Sequence, residues 1–349
     1  MKIDAAGGTL ATVRQAATTA EGLGVDGIAT AEVSHDPFLP LAIAADCTER
    51  VELITSIAVA FARSPMTVAQ QAWDLHEASS GRFVLGLGSQ VKAHITRRFS
   101  MPWSHPAARM AEYIAALRAI WACWRGEAPL HFEGEFYRHT LMPPTFVPSN
   151  AGFADPRILL AAVNREMARV AGTSADGVLC HAFSTPKWIE QVIIPAVNDG
   201  LTASGRSRSD FEISAPVFVA TGPDTDAVRK AMDGLRTHIA FYGSTPAYRP
   251  VLELHGWGEL GDRLHRCSVN GQWSEMPAMI SDEVVETFGV AATWDELPER
   301  LVTFHGGTVD RIPHALPVGV APDEVIRHMI DTVHRTPSAR DIAGAQSAT

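Results

Sequence analysis

GRFVLGLGSQ, residues 81–90, places an apolar, strand-like run directly before a Gly-x-Gly-Ser-Gln turn. Two earlier stretches break in the same way: AEVSHDPF at residues 31–38 and TSIAVAFARSP at residues 55–65. In each case a helix-like segment lies before the strand and another after it. Strands that alternate with helices and end in small and polar residues predict an α/β fold, a parallel (β/α)8 TIM barrel whose site is built from strand-to-helix loops.

Working outward, the unit repeats about every thirty residues, the length a right-handed βαβ crossover needs. Strands are predicted at residues 3–5, 27–31, 51–61 and 83–87. The helices between them cover 9–23, 40–48 and 66–79. The first has Leu10, Val13, Ala17, Ala20 and Leu23 on one face and stops at Gly24, as a left-handed helix cap would. After the fourth strand the rhythm loosens into a long helix over 106–124. A hairpin at 130–138, joined through Gly134, and a Pro-rich connection at 142–156 follow. Strands then return at 157–162, 177–180, 212–220 and 312–316, with helices at 165–171, 188–201, 225–242, 294–304 and 322–334. Eight strands result. The expected organisation is one barrel over residues 1–336, with insertions at about 89–156 after strand 4 and about 243–293 after strand 7, and a flexible tail at 337–349.

Composition narrows the function classes. With 349 residues, 46% hydrophobic and 19% charged, the chain can bury a large core. A formal charge of −10 provides no net positive field for nucleic acid or anionic membrane. Cys47, Cys123, Cys180 and Cys267 are widely separated and form no metal-like spacing. His94, His105, His131, His139 and His181 show no HxH or HExxH pattern, so no metal is expected. No basic segment leads into an apolar core after Met1, and no run of about eighteen apolar residues occurs, which predicts a soluble, cytoplasmic protein.

GVDGIATAEVSHDP, TSIAVAFARSP, SSGRFVLGLGSQ and RILLAAVNREMARVAGTSADGVL together resemble the bacterial luciferase-like superfamily of flavin and deazaflavin oxidoreductases. Within it the chain is most similar to actinobacterial-type enzymes that use coenzyme F420. The resemblance implies hydride transfer between the deazaflavin and a small organic substrate, and commonly a homodimer. A flavin mononucleotide (FMN)-dependent monooxygenase is the alternative, and a non-catalytic barrel subunit the second.

The same resemblance implies the site. A non-prolyl cis peptide is expected at Ser56-Ile57, behind the cofactor ring. His35 is the expected proton donor or acceptor, with Glu32 orienting or replacing it. Ser34 to Asp36 before Pro37 reads equally well as a helix-capping turn. Gly88, Ser89 and Gln90 are expected to approach the ring, with both amide groups of Gln90 on its pyrimidine portion. Ala162, Val163, Asn164 and Arg165, with Gly172 and Thr173, are the expected phosphate site, although Val163-Asn164-Arg165 departs from the commoner Gly-Gly-Pro pattern. Arg63, Lys92, Arg97, Arg98 and Arg109 are candidates for the cofactor's anionic tail. Trp103, Phe132, Tyr137 and Trp257 are candidate walls of the substrate pocket.

Overall fold

Phe83–Gly88 is buried along its whole length, as a stave with neighbours on both edges must be. It belongs to a computed structural model that describes residues 1–148 and 152–347. In chain order the strands are β1 Lys2–Ala6, β2 Gly27–Thr30, β3 Glu52–Thr55, β4 Ala58–Val59, β5 Phe83–Gly88, β6 Phe132–Glu133, β7 Arg138–His139, β8 Arg157–Ala162, β9 Gly177–Cys180, β10 Glu212–Ser214, β11 Phe218–Gly222, β12 Gly289–Thr293 and β13 Arg311–Pro313. The main sheet runs β3-β2-β1-β13-β10-β9-β8-β5-β4, and β3 also pairs with β5 at Leu53↔Phe83 and Ile54↔Val84. That last pairing closes an eight-stave parallel barrel, with β4 continuing the third stave beyond a break.

Alternation along the staves fills the interior in layers. Ala29, Ile54, Val84, Leu159 and Leu179 form an apolar middle layer, with Ile57 and Ala161 packed against it. Nearer the strand N-termini the interior is ionic. Arg311, 1% exposed, bonds Glu212 at 2.7 Å and also Asp4 and Glu52. Arg157 bridges Glu52 at 2.9 Å and Glu212 at 3.1 Å, and Lys2 reaches Glu52 at 2.8 Å. Gly27 makes room for this cluster, since a Cβ there would lie 2.5 Å from Asp4 Oδ1 and 2.9 Å from Arg311 Nη1.

Several predicted elements are displaced, each for a local reason. Residues 212–220 are not one strand: Pro216, lacking an N–H, interrupts the ladder. Only β10 stays in the barrel, while β11 leaves it and pairs in parallel with β12, from Phe218↔Gly289 to Gly222↔Thr293. The strand β12 was not predicted within 243–293, where helix and loop were expected. The helix predicted at 294–304 is Leu297–His305, and the eighth stave lies at Arg311–Pro313 rather than 312–316. Gly24 does cap the first helix in the left-handed region, at φ 100°.

After β5 the chain makes the predicted excursion. Its hairpin turn is bound to the long helix Pro106–Trp124, because the Glu112 carboxylate accepts the backbone N–H groups of Glu135, Phe136 and Tyr137 at 2.6–2.9 Å. Within the stretch expected as a tail, 337–349, Ala339–Ser347 is helical and the Arg340 N–H donates to Asp310 at 2.7 Å, while 348–349 lie outside the described residues. Among the described residues, no helix is long and apolar enough to cross a membrane.

His305 is 1% exposed, and neither ring nitrogen makes a hydrogen bond of good geometry. Burial pushes its pKa down to about 4, with Ala215 offsetting this only slightly. Since the unfolded chain takes up this proton first, stability is expected to fall as pH drops from about 6.5 towards 4, by about 3 kcal/mol for this group. Urea midpoints between pH 7.5 and 4.5 check it: His305→Leu should flatten the acid limb, and an unchanged limb would remove His305 from the account.

Candidate active site

The third stave breaks at Thr55. Its hydroxyl donates to the Gly86 carbonyl at 2.8 Å and accepts the Gly86 N–H at 2.9 Å, so this side chain replaces a ladder step between β3 and β5. The Ser56-Ile57 peptide that follows is cis and non-prolyl, at the predicted position. Ser56 donates to the Thr30 carbonyl at 2.6 Å, and the Ile57 carbonyl accepts the Glu32 N–H at 3.2 Å. β4 then rejoins β5 at Ala58↔Leu87 and Val59↔Gly88. Gly88 faces this bulge: a Cβ there would lie 2.8 Å from Ile57 Cδ1 and 3.4 Å from the Ala161 Cβ. The bulge and the C-terminal ends of β5 and β8 therefore meet at a place with no spare volume for a larger residue at 88.

The loop after β2 stands beside the bulge. His35 is exposed and makes no hydrogen bond among the described residues. Glu32 makes no hydrogen bond to it among the described residues. Its carboxylate turns inward, accepting the Val59 N–H at 2.7 Å and Arg63 Nη1 at 2.7 Å. Asp36 caps the next helix through the Phe38 and Leu39 N–H groups and pairs with Arg63 at 3.0 Å. The capping reading thus describes Asp36, while His35 is left free at the loop tip. Arg98, from the excursion after β5, donates to the Val33 carbonyl.

Gly88, Ser89 and Gln90 sit together at the end of β5, with Gln90 at φ 60°. The Gln90 amide oxygen accepts the Val91 N–H at 3.0 Å, which leaves its NH2 group and the second lone pair of the oxygen for a ligand. Ala162 ends β8, and Asn164 caps the following helix Arg165–Ser174 by accepting the Met167 N–H at 3.4 Å. The Val163 carbonyl accepts the Trp188 indole at 3.0 Å, and exposed Arg165 lies 3.7 Å from exposed Asp199. Gly172 and Thr173 do not join this group. They occupy the last turns of that helix, level with the start of β9 and hence at the opposite barrel end. A Cβ on Gly172 would lie 2.2 Å from the Val197 carbonyl, so this glycine serves helix packing.

Of the tail candidates, Arg63 and Arg109 are committed internally. Arg109 is buried, donating to Tyr137 Oη and the Pro102 carbonyl, each at 2.8 Å, and lies 4.3 Å over Phe61. Lys92 and Arg97 are exposed without an ion pair among the described residues. The candidate walls Trp103, Phe132, Tyr137 and Trp257 are half-buried. Three of them pack on the protein itself: Trp103 on Phe61, Tyr137 on Tyr113 and Trp257 on His255.

Two histidines at the mouth were not assigned from sequence. His181 follows β9 with the parity of inward-facing Leu179, stacks on Tyr248 at 4.7 Å and meets Tyr242 edge-on at 4.6 Å. Its Nδ1 accepts the Phe183 N–H at 3.0 Å, and burial pushes its pKa down to about 4, so the ring is neutral near pH 7 and carries its proton on Nε2. His314 follows β13 at φ 60° and is exposed as a residue, while desolvation by the surrounding protein lowers its pKa. The strand parity of residue 181 was the available signal. A separate cavity of about 420 Å3, lined by Met232, Arg236, Glu286 and Thr293 among others, lies beside the β11–β12 sheet, and none of these mouth residues lines it.

Fold and mouth together define a TIM-barrel protein of the luciferase-like kind, its third stave broken by a cis bulge. The chain belongs to the luciferase-like monooxygenase family, whose model matches residues 2–311. It is 49% identical over 315 residues to an uncharacterized protein of Mycobacterium tuberculosis, covering 90% of this chain and 92% of that one. It is 28% identical over 291 residues to 5,10-methylenetetrahydromethanopterin reductase of Archaeoglobus fulgidus, covering 81% and 82%. Its fold matches the coenzyme F420-dependent tetrahydromethanopterin reductase of Methanopyrus kandleri with a TM-score of 0.77 at 20% identity, over 95% of this chain and 98% of that chain.

Proposed function

We propose that this protein is a coenzyme F420-dependent oxidoreductase acting on a small organic substrate. The observation that carries the reading is the junction at the barrel mouth, where Ile57, Gly88 and Ala161 meet beside the cis bulge. Small residues there favour close approach of a flat ring to backbone, and a Cβ at residue 88 would intrude on Ile57. When bound, a deazaflavin supplies a two-electron hydride at a ring carbon.

The chain's own residues then have separate tasks. The bulge at Ser56-Ile57 and the Gly88 turn would support the ring, and the Gln90 amide would hydrogen-bond its polar edge. The backbone N–H groups opening the helix after Asn164 and the charge of Arg165 serve the phosphate. His35, unpaired at its loop tip, gives a proton to the substrate atom next to the one that receives hydride, or takes it in the reverse direction. Proton and hydride together make a balanced two-electron reduction. The homodimer implied by the family resemblance remains part of this proposal.

A second reading, an FMN-dependent monooxygenase, is favoured by the description of the family. Titration with each cofactor separates the two. Coenzyme F420 is expected to have its fluorescence quenched or shifted on binding, with FMN binding poorly. Preferential FMN binding with oxygen uptake in the presence of reduced flavin would replace the first reading by the second. Binding of neither would leave the non-catalytic subunit.

A further inference from the structure

We propose that Arg63 is a positioning residue which, through Glu32 and Asp36, holds the His35 loop against the Ser56-Ile57 bulge and thereby sets cofactor affinity. The affinity part rests on the function proposed above; the clamp itself does not.

The guanidinium works as a fork. Nη1 donates to Glu32 Oε2 at 2.7 Å and to the Val59 carbonyl at 3.3 Å, while Nη2 reaches Asp36 Oδ2 at 3.0 Å. The two carboxylates belong to the loop after β2, and Val59 belongs to the chain just beyond the bulge. Glu32 adds two further links between the same segments, accepting the Val59 N–H and donating its own N–H to the Ile57 carbonyl. His35 lies between the two anchored carboxylates.

Exposed ion pairs contribute little. This one is largely withdrawn from water, with side-chain exposures of 16% for Arg63 and 7% for Glu32. Phe38 underlies the guanidinium at 5.5 Å, and the Arg63 carbonyl accepts the Tyr113 hydroxyl at 3.4 Å from the long helix of the excursion. A lysine could reach only one carboxylate at a time, so the planar fork is the feature that joins both ends of the loop. The barrel ladders on either side, β3 with β5 and β4 with β5, use other groups. The clamp therefore adds order to the mouth beyond that of the staves.

Two measurements on the full-length protein test it. In the unliganded double variant Arg63→Met/Glu32→Gln, which leaves no unpaired charge at Glu32, the amides of Glu32, Phe38, Leu39 and Val59, whose hydrogen bonds run through the clamped segments, are expected to exchange at least about tenfold faster than in wild type. Amides of β8 and β9 should be unchanged, and Arg63→Lys should fall between. Fluorescence titration with coenzyme F420 should then show Kd raised by about tenfold in the double variant and by less in Arg63→Lys, with His35→Ala close to wild type. Unchanged exchange would overturn the clamp whatever the cofactor. Faster exchange with unchanged Kd would overturn its link to affinity. Failure of the wild-type protein to bind coenzyme F420 would overturn the proposed function and the affinity part with it, while the exchange result would still decide the clamp.

Discussion

Replacing His35 with alanine is expected to lower turnover by about 10²–10⁴-fold, the usual contribution of a positioned acid or base. Affinity for the deazaflavin should be nearly unchanged. The size of the effect follows from how the loop distributes its polar groups. Glu32 and Asp36 flank His35 in sequence, but both carboxylates are held by Arg63 and by backbone N–H groups. Neither is free to move a proton to or from a substrate. The imidazole makes no hydrogen bond among the described residues and stands exposed beside the bulge, so its removal takes away the proton carrier without disturbing a structural contact. Oxidation of the reduced deazaflavin by a panel of aldehydes, ketones, imines and activated alkenes provides the assay, with His35→Gln as a variant that can hydrogen-bond but not titrate. Wild-type turnover in both variants would remove His35 from the mechanism and turn attention to His181 and His314 at the same end of the barrel.

The barrel was legible because strand and helix periods alternate and because strands two, three and four all end in small and polar residues. Each such ending is a local property of a few neighbouring residues. The same is true of the cis peptide at Ser56-Ile57, which the resemblance of TSIAVAFARSP to its family places. What could not be read were pairings distant in sequence. Glu32 and Arg63 are 31 residues apart and share no period, so nothing in AEVSHDPF shows that its carboxylate is spoken for. β12, Gly289–Thr293, consists mostly of small residues without alternation, and its partner β11 lies far earlier in the chain. Other signals were present and outweighed. Pro216 marked the break between β10 and β11, and the parity of Leu179 gave His181 its inward direction. Gly172 resembled a phosphate-loop glycine, but its helix had to pass close to Val197, and that close approach accounts for it.

Replacing Arg311 with methionine is expected to destabilise the barrel by about 3–5 kcal/mol, as removal of one partner from a buried ionic group does. Arg311 contacts Asp4, Glu52 and Glu212 inside the lower barrel, and Asp4 and Glu212 are themselves almost wholly buried. Arg157, Lys2 and Arg340 would remain, but they reach Glu52 and Glu212 and none of them contacts Asp4. Burial pushes Asp4 up to about 7, against the pull of Arg311 and with the help of the neighbouring carboxylates. Burial would raise Glu212 too, yet Arg311, Arg157 and Lys2 outweigh it and bring that group down to about 2. The sign of the pH dependence follows. A depressed Glu212 contributes stability above the ordinary carboxylate range, and this is lost as pH falls towards 2. Without Arg311 the folded-state pKa values rise, and the lost stability is that of charged carboxylates held without their partner. The deficit of Arg311→Met should therefore be largest near pH 8 and shrink towards pH 5, where protons replace part of the missing charge. Urea midpoints of wild type and variant at the two pH values measure this, and adding Asp4→Asn to the variant should recover part of the loss at pH 8. A deficit equal at both values, with no recovery from Asp4→Asn, would mean that Arg311 stabilises the barrel through its packing rather than its charge.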